Sequence, residues 1–134
     1  MAGYSGTPLP QKLGIKPGAA VCFLGAPDDF ADTLGPLPAG VSLQPKPKGP
    51  LDVVVFFTKA RRDLEKKLPA LHAALAPAGG LWIAWPKKSS GVPTDMTEDV
   101  VRELALPRGL VDNKICAVDE TWSGVRLVIR LANR

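Results

Sequence analysis

Three short runs of this chain leave almost no position polar: residues 20–25 (AVCFLG), 52–57 (DVVVFF) and 81–85 (LWIAW). A strand with one wet face alternates apolar and polar residues, so runs like these need cover on both faces, as in the interior of a parallel sheet. Each run is too short for a helix, and the second is the most β-branched segment of the chain. Amphipathic and turn-rich segments separate them. The pattern is that of an α/β fold: three layers around a doubly wound, mostly parallel sheet of about six strands, with an antiparallel C-terminal hairpin.

The connections give the order. After Pro27, Asp28 and Asp29 occupy the first turn of a short helix, where carboxylates favour the dipole, and Gly35 ends it. A short strand follows at 41–43. The stretch 44–50 (QPKPKGP) cannot be helical, yet the roughly nine residues between the two strands reach roughly 30 Å when extended, enough for a crossover without a helix. Leu64, Leu68, Leu71 and Leu75 recur at helical spacing over 60–75, opposite a charged side, and Pro69 is expected to kink or split this helix. Residues 78–80 (AGG) turn into the strand 81–85. Asp95 and Glu98 have capping-box spacing for a helix bearing Met96, Val100, Val101 and Leu104, stopped by Pro107 and Gly109. Residues 110–118 and 124–131 read as the terminal hairpin. Residues 1–17 are expected to form an N-terminal arm or cap, and 18–134 a single Rossmann-like domain.

Composition bounds the function classes. A chain of 134 residues with 46% hydrophobic and 22% charged residues suits one soluble domain. The 13 glycines and 14 prolines fall between apolar runs, marking tight connections. A net charge of +4 without a recognition signature does not point to nucleic acid as a partner. Cys22 and Cys116 lie in apolar stretches and read as free thiols of a reducing compartment, so a cytoplasmic location is expected. His72 is the single histidine and there is no CxxC, so no metal site is expected. The N-terminus lacks the pattern of a signal peptide, and no apolar run reaches 18 residues, so no membrane partner is expected.

Against this frame the chain resembles the class I S-adenosylmethionine-dependent methyltransferases over residues 14–131. Lys16-Pro17-Gly18, Val21 and Leu24-Gly25 are similar to that family's first strand and the approach to its glycine loop. Residues 51–57 are similar to its fourth strand, and Leu75-Ala76-Pro77-Ala78-Gly79-Gly80 to the entry into its fifth, with Ala78 as an extra residue. The resemblance implies a Rossmann-like fold and makes S-adenosylmethionine a candidate cofactor. Two features depart from the family. The glycine-rich loop is replaced by Gly25-Ala26-Pro27-Asp28-Asp29, and Leu43 is followed by Gln44 and Pro45 where the family places an acidic residue for the ribose hydroxyls. A helix–strand unit of the family is also missing at 44–50. From Trp85 onward, WPKKSSGVPTDMTEDVVREL and GLVDNKICAVDETWSG resemble a bacterial family of small proteins defined only as a domain of unknown function, which implies no activity.

In open α/β sheets, ligands bind beyond the carboxyl ends of the strands near a switch in strand order. That rule selects Gly25, Ala26, Pro27 and Asp28, together with Thr58 and Lys59, as cofactor-binding candidates. It also selects Lys87, Lys88, Ser89, Ser90 and Gly91, whose ammonium, hydroxyl and backbone groups suit an anion, although the loop is not a Walker sequence. Asp119, Glu120, Trp122 and Ser123 form a hairpin tip read mainly as a turn, with Trp122 packing on the sheet edge. No nucleophile elbow is present, and catalytic residues stay unknown. The expectation is a non-catalytic Rossmann-like module that binds a partner protein or a small anionic ligand. The alternative is a truncated methyltransferase-like or nucleotide-binding enzyme, and a homodimer is left open.

Overall fold

The computed structural model describes residues 7–133, so the first six positions of the expected arm lie outside the described residues. The elements run α1 (Leu9–Lys12), β1 (Ala20–Leu24), α2 (Phe30–Leu34), β2 (Ser42–Leu43), β3 (Leu51–Phe57), α3 (Arg61–Ala74), β4 (Leu75–Pro86), α4 (Glu98–Ala105), β5 (Leu110–Ala117) and β6 (Trp122–Ile129). They build one six-stranded sheet in the order β2-β1-β3-β4-β6-β5. The first four strands pair in parallel, and β6 lies antiparallel to both β4 and β5. The expected α/β architecture, with its antiparallel end, is the observed one.

Alternation along β3 explains why its sequence is apolar throughout. Val54 and Phe56 point into a cluster with Leu64, Leu68 and Leu71 of α3 and Val101 and Ala105 of α4. Val53, Val55 and Phe57 point the other way, to Phe30 and Leu34 of α2 and to Leu9, Leu13 and Ile15 of the N-terminal segment. The helix between β1 and β2 and the helix between β3 and β4 thus cover opposite faces, because the chain moves in opposite directions along the sheet in the two crossovers. The described part of the N-terminal segment is held to the sheet by Trp82. That ring is fully buried, and its Nε1–H donates to the Leu13 carbonyl at 3.0 Å. Among the described residues no helix is long and apolar enough to cross a membrane.

Local details differ from the sequence expectation in three places. Pro69 does not split α3, which runs unbroken over 14 residues. Pro69 and residue Glu65, whose carbonyl loses its partner to the ring, both sit on the exposed side, where that carbonyl is open to solvent and is not buried unpaired. The strand expected at 81–85 begins earlier, at Leu75, pairing with Leu51 before a shift in register brings Gly80 opposite Val53. Asp95 does not cap α4. Thr97 does, its side chain accepting the Val100 N–H at 3.1 Å, while Asp95 reaches across to a different helix. The crossover at 44–50 carries no helix, as its prolines dictate.

Candidate functional site

Strand order reverses between β1 and β3, since β1 continues to β2 on one side and the chain returns to β3 on the other. Their carboxyl ends therefore flank the crevice where a doubly wound sheet offers room for a ligand. Gly25 ends β1 at φ +69°, and a Cβ there would stand 2.7 Å from the Phe57 carbonyl oxygen. Glycine is the residue that permits both the left-handed turn and this approach of one strand end to the other. Beyond it the chain passes through Ala26, which packs on the apolar cluster beneath, and Pro27 into α2.

The end of β3 is fixed by hydrogen bonds. Thr58, 6% exposed, donates its N–H to the Ala84 carbonyl at 2.9 Å, and its hydroxyl accepts the Ala60 N–H at 3.2 Å. The Lys59 carbonyl accepts the Thr94 hydroxyl at 2.6 Å and the Asp95 N–H at 3.3 Å. The Asp95 carboxylate then accepts the Arg61 N–H at 2.7 Å, so the segment 94–95 caps α3 from outside. That cap already places a negative group on the first turn of α3.

An open cleft of about 670 Å³ lies over these strand ends. Gly25, Pro27, Phe57 and Trp122 line it on one side, and Thr58, Lys59, Asp63, Lys66 and Lys67 on the side of α3. Three ammonium groups thus face one carboxylate. All four charged residues are exposed, and among the described residues none of the three lysines takes part in an ion pair. Of the candidates taken from sequence, Gly25, Pro27, Thr58 and Lys59 meet in this cleft. Asp28 lies on the surface outside its lining.

The second group of candidates, Lys87 to Gly91, is not part of the cleft lining. Lys87 donates through Nζ to the Asp119 carbonyl at 2.8 Å, and through its N–H to the Thr121 carbonyl at 2.7 Å. Residues Lys88–Ser90 form a 3-10 turn in which the Ser90 hydroxyl donates to the Lys87 carbonyl at 2.6 Å and accepts the Val92 N–H at 3.2 Å. Gly91 closes the turn at φ +76°. Asp119 accepts the Thr121 and Trp122 N–H groups at 2.8 and 2.7 Å. The loop and the hairpin tip are one hydrogen-bonded unit that holds Trp122 at the cleft.

Sequence reasoning missed Asp63, Lys66, Lys67 and Trp122 as lining residues. Asp63 is three and four positions from Lys66 and Lys67, the spacing that puts all three on one flank of a helix, and this was the signal available. His72 stands near the far end of α3 with a buried Nδ1 that has no hydrogen-bond partner. Burial, and secondarily the Arg108 charge, hold its pKa below the usual histidine value. Burial raises the thiol pKa of Cys22, and also that of Cys116, against a smaller opposite effect of Lys12 and Lys114. Both are free thiols with little thiolate character. Among the described residues no group of three or more His, Cys, Asp or Glu could hold a metal ion.

Comparison with solved structures returns many methyltransferases. A SAM-dependent methyltransferase from Aquifex aeolicus superposes with TM-score 0.64 at 15% identity, over 90% of this chain and 87% of that one. A TehB-like SAM-dependent methyltransferase from Corynebacterium glutamicum gives 0.58 at 14%, over 96% and 91%. Magnesium protoporphyrin IX methyltransferase from Synechocystis PCC 6803, solved with bound SAM, gives 0.59 at 11%, over 91% and 74%. The fold is therefore that of the Rossmann-like methyltransferases. No model of a protein family matches the chain, so the finer resemblance to a family of unknown function has no support from that comparison, and no curated protein matches its sequence.

Proposed function

We propose that this chain is a ligand-binding module built on a methyltransferase-like fold, and that the cleft over β1 and β3 takes a small anionic ligand. The observation that carries the reading is the lining itself: Lys59, Lys66 and Lys67 against Asp63 alone, at the switch point of the sheet. Ammonium groups gathered around a concavity attract phosphate or carboxylate groups, while the Gly25 turn lets backbone approach a ligand.

The fold of the solved neighbours favours the alternative, a truncated S-adenosylmethionine-dependent enzyme. The residues of the cleft do not suit that cofactor. It carries a sulfonium and an ammonium against one carboxylate, and a lysine-rich cleft repels a net positive ligand. Pro27 removes a backbone donor from the loop after β1. After β2, Gln44 stands where an acid would hold ribose hydroxyls, and its Nε2 donates to the Ser42 hydroxyl at 2.6 Å. Among the described residues Asp63 is the single carboxylate in the lining, so they offer no paired acid and base there.

Calorimetric titration of the full chain with pyrophosphate, S-adenosylmethionine and S-adenosylhomocysteine separates the two. The proposal expects measurable pyrophosphate binding that weakens as salt is added, and no heat from the other two ligands. Micromolar binding of S-adenosylmethionine with none of pyrophosphate would reverse the assignment.

A further inference from the structure

The cleft has two chemically different flanks because it straddles the end of β3, where consecutive side chains point to opposite faces of the sheet. On the face covered by α3, its wall carries the charge, with Lys66 and Lys67 beside Asp63 above the Phe56 ring. On the other face it is apolar, formed by Pro27, Phe57 and Trp122. Trp122 is half-buried and meets Phe57 edge-to-face, with centroids 5.2 Å apart and an interplanar angle of 82°. Phe57 is braced in the same way by Phe30, at 4.9 Å and 68°. The backbone of Trp122 is held by Asp119, and Asp119 by Lys87, so the indole is placed before any ligand arrives.

Resting on the reading of the cleft as an anion site, we propose that its ligand is a nucleoside phosphate, with the base against the Pro27–Trp122 flank and the phosphate toward Lys66 and Lys67. An inorganic anion would leave the apolar flank in water, and a neutral ring would leave the lysines unused. A molecule carrying a flat ring system at one end and phosphate at the other meets both flanks. The volume of about 670 Å³ lies within the range of small-ligand sites.

The test compares ADP, pyrophosphate and adenosine by calorimetry and tryptophan fluorescence on the full chain, on Trp122→Leu and on Lys66→Gln/Lys67→Gln, with thermal melting to show that each variant folds. The proposal expects ADP to bind about tenfold more tightly than pyrophosphate and to change the emission of Trp122. Trp122→Leu should lose that advantage and keep its pyrophosphate affinity, and the double lysine variant should lose both ligands. Equal affinity for ADP and pyrophosphate, with unchanged emission, would overturn the nucleoside while leaving the anion site standing. Binding of neither ligand would overturn both. Adenosine binding as tightly as ADP would show that phosphate has no part in recognition and would overturn the proposal.

Discussion

Two loops follow neighbouring strands of this sheet, and both carry lysines and hydroxyls. After β3 come Thr58 and Lys59, leading to Lys66 and Lys67 on α3. After β4 come Lys87, Lys88, Ser89 and Ser90. On sequence the second is the richer anion site. In the structure its Lys87 and Ser90 are engaged by Asp119, by the loop's own carbonyl and by Val92, and the loop serves to anchor the hairpin tip. Among the described residues the lysines after β3 have no such partners, and they surround a concavity at the switch point. Side-chain chemistry nominates a site, but what the groups already bind decides whether they remain for a ligand.

Substitutions should separate the loops by what they damage. Gly25→Val in the cleft floor should cost most, roughly 2–5 kcal/mol, because it combines a left-handed backbone with a clash against the Phe57 carbonyl. Chemical denaturation would measure it, together with loss of pyrophosphate binding. Asp119→Ala leaves the Thr121 and Trp122 N–H groups without their acceptor and should cost about 1–3 kcal/mol, loosening the loop after β4 without removing any cleft charge. Asp95→Ala removes the cap on α3 and should cost about 1 kcal/mol by the same measurement.

His72 supplies a control away from both loops. Its folded-state pKa is lowered, so the unfolded chain takes up the proton first as pH falls. Its contribution is fully present above the ordinary value near 6.5 and is lost as pH drops below that toward the folded value. His72→Leu should flatten the dependence of stability on pH in that window, read by denaturation at a series of pH values. An unchanged slope would show that the histidine is not desolvated. Lys66→Gln/Lys67→Gln should have the smallest effect on stability, about 0.5 kcal/mol or less, because both side chains are exposed and, among the described residues, lie outside ion pairs.

Much of the architecture was legible in the sequence, because runs apolar on both faces admit few arrangements. Val53 to Phe57 must be covered twice, and that requirement alone calls for helices on either side of a parallel sheet. Local rules misled where a tertiary contact outranked them. The spacing of Asp95 and Glu98 is that of a cap, yet the carboxylate satisfies the Arg61 N–H 34 positions away, and Thr97 takes its place. The cleft was legible only in part. Gly25, Pro27, Thr58 and Lys59 follow from the rule about strand ends, whereas Trp122 reaches the cleft only because β6 inserts beside β4 in reverse, a pairing that no local pattern encodes. Lys66 and Lys67 read as a solvated helix face, and that face is also the wall of the cleft.

The proposed anion site lies on the segment from the end of β3 into α3, and not on the loop after β4. The direct measurement is calorimetric titration of pyrophosphate at low salt into the unaltered chain, Lys66→Gln/Lys67→Gln and Lys88→Gln. Binding should be lost in the double variant and retained in Lys88→Gln. Retention in the first with loss in the second would place the anion on the loop after β4 and contradict the assignment of the cleft.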